Sequence, residues 1–198
     1  DGAPTKQTKK AAAPSKKEKK EAAPKDDDFE APKEKKVEHP LAALNRTSPP
    51  KMKIDDWKVC YSNTKPLSKA MEYLWQNVDL KDYSFWFMKY NYNDENKKMF
   101  MTCNAVGGFI QRSDAMRKFA FGVMDVVGEE GGLIEIVGCW MFRGQSVEYM
   151  LDANPDAEYY TWTKVETLDD ATKARIAAYF CNEDDLEGKK IADGKVFK

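Results

Sequence analysis

Leu133-Ile134-Glu135-Ile136-Val137-Gly138-Cys139-Trp140-Met141-Phe142 is the most strand-like stretch of the chain. Branched aliphatic and aromatic side chains follow one another with a single charge among them, a composition that suits a pleated, packed surface. Just upstream, Gly128-Glu129-Glu130-Gly131-Gly132 reads as a loop, and Ala120 to Val127 as a strand leading into it. Downstream, Arg143-Gly144 reads as a hairpin turn, with Gln145 to Leu151 returning as the partner strand. Tyr159-Tyr160-Thr161-Trp162 is a further short extended piece. Residues 83–92 are aromatic-rich and alternate in their second half, which predicts another strand. Asn93-Asp94-Glu95-Asn96 carries turn chemistry, and a strand over 97–104 is expected to complete an antiparallel pair.

Helical periodicity is clearest at 66–78. Leu67, Ala70, Met71, Leu74, Trp75 and Val78 recur at spacings of three and four and define one face. Pro66 suits the first turn, and Thr64 is placed to cap it. A second helix is expected over 109–119, after a sharp bend at Gly107-Gly108. A third is expected over 168–181, with Asp169 and Asp170 in its first turn, where the helix dipole favours negative charge. Leu168, Thr172, Ile176, Tyr179 and Phe180 make its inner stripe, and residues 182–198 read as a polar tail. Helices and strands do not alternate regularly. The expected class is therefore α+β, an antiparallel or mixed sheet flanked by about three α-helices.

The chain divides at residue 38. Residues 1–38 consist mainly of Lys, Ala, Pro, Glu and Asp, with prolines at 4, 14, 24 and 32. Such a stretch has too little apolar surface to offset the entropy of ordering, so it reads as a disordered linker rather than a basic contact arm. Residues 39–198 hold the aromatic and aliphatic residues and are long enough for a core. His39-Pro40-Leu41-Ala42-Ala43-Leu44, the first apolar patch, is expected to dock onto the domain C-terminal to it. The net charge of −1 gives no overall bias towards nucleic acid or anionic membrane. A first residue that is not Met, Asp1, is what the back part of a longer protein would show. Cys60, Cys103, Cys139 and Cys181 show no metal-ligand spacing and, without a secretory signal, read as reduced thiols of a cytoplasmic protein.

No phosphate-binding P-loop, dinucleotide fingerprint or nucleophile elbow occurs. His39, the single histidine, sits in a linker-like segment, where a general base is not held. Neither catalysis, nor a cofactor, metal or small-molecule substrate, is expected. Recognition chemistry is better represented. Arg112, Trp140, Arg143, Gln145, Tyr160 and Trp162 are the candidate partner-binding residues, because Trp, Tyr and Arg dominate contact hot spots. Their aromatics suit a core with polar edges better than a binding surface, because exposed aromatics are the exception.

The same segments carry a family resemblance. His39 to Leu44, Tyr61-Ser62-Asn63, Phe100-Met101-Thr102-Cys103-Asn104, Phe109-Ile110-Gln111-Arg112, Trp140 to Gln145, Tyr160-Thr161-Trp162 and Gly194-Lys195-Val196-Phe197-Lys198 resemble, in order and spacing, the C-terminal domain of elongation factor 1-gamma. The match covers residues 39–198, and the lysine-rich stretch before it looks like that family's linker. The resemblance implies a non-catalytic scaffold or anchoring domain of the elongation factor 1 nucleotide-exchange complex, which supports delivery of aminoacyl-tRNA to the ribosome. Implied partners are the exchange subunits and the GTPase subunit. RNA, cytoskeleton and membrane surface are further partners proposed for the family. An RNA- or cytoskeleton-binding module is the alternative, with RNA held by the linker lysines together with Arg112, Lys118 and Arg143.

Overall fold

The structure is a computed structural model and describes residues 37–198. The linker expected over 1–38 falls almost wholly outside them. In chain order the elements are α1 (Pro40–Thr47), α2 (Ile54–Asn63), α3 (Leu67–Asn77), β1 (Tyr83–Tyr90), α4 (Met99–Arg112), β2 (Ala120–Gly128), β3 (Ile134–Arg143), α5 (Glu148–Ala153), β4 (Tyr160–Lys164), α6 (Asp170–Cys181), β5 (Asp185–Leu186) and β6 (Lys189–Phe197). The strands form one six-stranded sheet in the order β4-β1-β3-β2-β6-β5, and every neighbouring pair is antiparallel.

The strand-like stretch at 134–143 lies near the middle of this sheet, between β1 and β2. Its side chains alternate between two cores. On one side Cys139 and Met141 join Phe85, Phe87, Phe121 and Val123 beneath α2, α3 and α6, which contribute Trp57, Tyr61, Leu74, Ile176 and Phe180. On the other, Ile134, Ile136, Trp140 and Phe142 join Met88, Met124, Val126 and Phe197 against Leu41 of α1, Val106 and Phe109 of α4 and Met150 of α5. A sheet apolar on both faces must be covered on both, so the α+β domain has three layers. That accounts for six α-helices among the described residues where the sequence pattern predicts about three.

Several elements differ from their sequence reading. The strand expected over 97–104 is the first half of α4. Thr102, Val106 and Phe109 are its buried residues, a helical spacing that short-range alternation conceals. Gly107-Gly108 does not bend the chain but lies inside α4, at the point where the helix passes Lys195 of β6. The helix expected over 109–119 is therefore the end of α4 followed by a 3₁₀ turn at Asp114–Met116. The return strand expected over 145–151 is α5. Gly144, at φ +84°, turns the chain off the sheet and packs against Leu41, so no hairpin closes. The polar tail of 182–198 is β5 and β6, and β6 pairs with β2 through most of its length. Its polar residues conceal a strand whose anchor is the buried Phe197, opposite Gly122. Helix α2 has no counterpart in the sequence reading, although Trp57 and Tyr61 mark its inner face. Thr64 ends α2 rather than capping α3. The strands at 83–90, 120–128, 134–143 and 160–164, and the helices at 67–77 and 170–181, stand where expected.

The apolar patch at 39–44 docks as expected, as the start of α1. His39 is its N-cap, accepting a hydrogen bond from Leu41 N at Nδ1 (3.1 Å), and its ring stacks on Phe119 at 4.7 Å.

Candidate functional site

The six sequence-derived candidates lie in two places. Trp140, on β3, is wholly buried, with its indole N–H directed at Met88 Sδ (2.8 Å). Trp162, on β4, meets it edge-on at 6.3 Å and donates to Ala157 O (2.9 Å). Tyr160, also buried, packs against Phe109 at 5.0 Å and Tyr90 at 5.2 Å, and burial pushes its phenol above the ordinary range. Arg112 ends α4 nearby, exposed, with its Nε on Asp156 Oδ2 at 2.6 Å. Arg143 and Gln145 stand at the opposite end of β1. In register, Arg143 faces Tyr83 and Tyr160 faces Tyr90, so the length of a strand, roughly 23 Å, separates them. The six therefore do not converge on one hollow.

Arg143 has an internal task. Its guanidinium is buried and donates to Asn45 Oδ1 (2.7 Å), Ser48 O (2.6 Å) and Asp82 O (2.7 Å). It thereby ties the C-terminal end of α1, where a helix favours a cation, to the start of β1. Gln145 extends the tie, donating to Leu80 O at 2.7 Å. Replacing Arg143 with Met takes the donor from Asn45 Oδ1 and Ser48 O, while Asp82 O keeps Gly144 N (2.9 Å), and the expected cost is roughly 2–3 kcal/mol. Chemical denaturation measures the loss, and amide exchange should show α1 losing protection before the sheet does. Equal protection of α1 in both proteins would refute the tie.

A groove of about 530 Å³ opens elsewhere, on the part of the sheet that α6 leaves uncovered. Phe87, Lys89, Val127, Val137, Thr161 and Thr163 form its floor, and Arg175, Tyr179, Leu186, Glu187 and Lys189 its walls. Beneath it lies Glu135, only 4% of whose side chain is exposed. Lys89 Nζ pairs with Glu135 Oε1 at 2.6 Å, and Lys189 Nζ pairs with Oε2. Burial disfavours the Glu135 carboxylate, but hydrogen bonds from Lys189 and Lys89 outweigh it and hold its pKa below the usual value. Arg175 lies 4.0 Å above the ring of Phe87 and donates to Glu187 Oε1 at 2.5 Å. The groove offers ammonium and guanidinium donors over a floor of mixed apolar and threonine side chains, suited to binding negatively charged groups.

One further group stands apart. Asp125, on β2, is fully buried, and neither carboxylate oxygen has a hydrogen-bond partner. It pairs in register with Gly194, where any side chain would overlap both Asp125 Oδ1 and Asn182 Nδ2. Asn182 closes α6 in the left-handed conformation, and its own Oδ1 is also buried without a partner. Burial, then the nearby Asp193, pushes Asp125 up to about 7.

Lys89, Asp125, Glu135, Arg175 and Lys189 are absent from the sequence-derived candidates. A signal existed for two of them. Asp125 in Val-Met-Asp-Val-Val and Glu135 in Leu-Ile-Glu-Ile-Val are single acids inside apolar strands, where a buried charge demands a partner or a proton. Burial raises the thiols of Cys103 and Cys139, away from nucleophilic use. Among the described residues no group of three or more His, Cys, Asp or Glu could hold a metal ion, and no helix is long and apolar enough to cross a membrane.

The profile of one family, described as elongation factor 1 gamma, conserved domain, matches residues 36–146, more than half of the chain. Elongation factor 1-gamma 3 of Oryza sativa subsp. japonica is 43% identical over 162 residues, covering 80% of this chain and 39% of the relative. Probable elongation factor 1-gamma 1 of Arabidopsis thaliana is 42% identical over 172 residues, covering 85% and 40%. Elongation factor 1-gamma of Drosophila melanogaster is 38% identical over 168 residues, covering 83% and 38%. The chain thus spans about two fifths of the length of the curated relatives it matches.

Proposed function

Because the chain belongs to the elongation factor 1-gamma family, we propose that residues 39–198 are a non-catalytic scaffold or anchoring domain of the elongation factor 1 complex, acting in the cytoplasm during translation elongation. The family match is the observation that carries this reading. In it, the domain helps hold exchange and GTPase subunits together while aminoacyl-tRNA is delivered. A body packed on both faces of one sheet suits a rigid element of such an assembly. The RNA-binding alternative is weakened, since Arg143 is spent on internal carbonyls and Arg112 is paired with Asp156.

The test is affinity capture of the whole 198-residue chain from a translation-competent lysate, with the nucleotide-release rate of a purified GTPase subunit measured beside it. Elongation or ribosomal components should be retained, and the chain alone should leave nucleotide release unchanged. Retention of none of them, or acceleration of release by the chain alone, would overturn the proposal.

A further inference from the structure

The two edges of the sheet are unequal. β5 is two residues long and offers little to pair with. β4 has five residues, about 17 Å, contains neither proline nor acid, and pairs only with β1. Asn91 N bonds Tyr159 O (2.9 Å) and Val165 N bonds Phe85 O (2.8 Å), so the odd-numbered residues of β4 face β1. By the alternation of an antiparallel ladder, the N–H and C=O groups of Tyr160, Trp162 and Lys164 point outward. Tyr160 N already donates to Ala157 O, and no other main-chain group bonds Trp162 or Lys164 on that side among the described residues. Trp162 turns its indole N–H back to Ala157 O, which leaves this edge open.

Beside the edge lies the cationic groove. Thr161 and Thr163 belong to both, so side chains on one face of an added strand would stand next to them and lean towards Lys89, Arg175 and Lys189. Three cations face two carboxylates there. Glu135 is already enclosed between its two lysines, whose side chains remain 58% and 49% exposed and keep ammonium protons free. The unmatched charge is positive.

We propose that the free edge of β4 and the groove beside it form a docking site for an extended acidic peptide, which joins the sheet as a seventh strand and places carboxylates at alternate positions over the groove. Main-chain pairing supplies the register and the lysines and Arg175 supply the preference for acid. A nucleic-acid strand fits less well, because Phe87 and Tyr179 are buried and Arg175 covers the face of Phe87, which leaves the half-buried Tyr90 as the groove's ring for a base to stack on. A second copy of the chain would bring β4 against β4 and leave the cations without acids.

The experiment titrates the ¹⁵N-labelled full chain with a capped heptapeptide alternating Glu with Val, with the same peptide carrying Lys for Glu, and with oligouridylate. The Glu peptide should shift the amides of residues 160–164 and slow hydrogen exchange at Trp162 and Lys164. Lys164→Pro removes one outward N–H without touching the β1 ladder, and should weaken the Glu peptide at least tenfold with an unchanged thermal midpoint. Lys189→Gln should weaken it severalfold, and the Lys peptide should bind at least tenfold more weakly. Equal binding of both peptides, shifts away from β4, tighter binding of oligouridylate, or protection of the β4 amides that grows with protein concentration alone would each overturn the proposal.

Discussion

Trp140→Ala is expected to cost about 3–5 kcal/mol, against a total stability of about 5–15 kcal/mol for a domain of ordinary stability. The indole is wholly buried and lies between Phe109, Phe142, Trp162 and Phe197, so its removal opens a cavity bounded by rigid rings that cannot collapse into it. Its floor is Gly122, its partner in register on β2, where an added methyl group would overlap the indole ring itself. Gly122→Ala alone should therefore destabilise by about 1–3 kcal/mol through overpacking. In a Trp140→Leu background the same methyl finds room, and its cost should fall towards zero or change sign. Guanidinium unfolding followed by circular dichroism measures the cycle. Strict additivity of the two substitutions would show that Gly122 and Trp140 do not share one space.

The second large effect concerns Asp125. Its carboxyl titrates at about 7 in the folded chain, against about 3.9 when unfolded. The folded state therefore holds a proton that the unfolded state has lost. Stability from this group is fully present below about pH 4 and is lost as the pH rises towards and past 7. Three units correspond to an upper bound of about 4 kcal/mol. Asp125→Asn keeps the shape and removes the charge. The variant should melt well above the parent at pH 8, by about 2–4 °C for each kcal/mol recovered, and the two should converge towards pH 4. A difference in melting temperature that does not change with pH would exclude a buried, titrating acid at this position.

These two positions also show where sequence reading succeeds and where it stops. The run from Ile134 to Phe142 is legible as a strand because nearly every side chain in it is apolar. That very uniformity hides which side chains face which layer, and so hides the second layer of helices. Met99 to Cys103 reads as extended because a short apolar run fits either period, and only the burial of Val106 and Phe109 decides for a helix. Residues 189–197 carry too few apolar side chains to announce a strand, since neighbours on the sheet and not their own pattern hold them there. The candidate binding residues rest on residue type. Type alone does not separate an Arg143 that ties a helix to a strand from a Lys89 or Arg175 that lines a groove.

The position of β6 bears on how the domain comes into being. Gly122 pairs with Phe197, 75 positions later (197 less 122), so the inner strand β2 has nothing along one side until β6 arrives. On a ribosome, a nascent chain that already holds β2 and β3 would carry an open, apolar template for misassociation while the stretch through residue 197 is still being made. Domain completion in the cell then waits on the last ladder to form, and holdase chaperones would meet the chain in that interval.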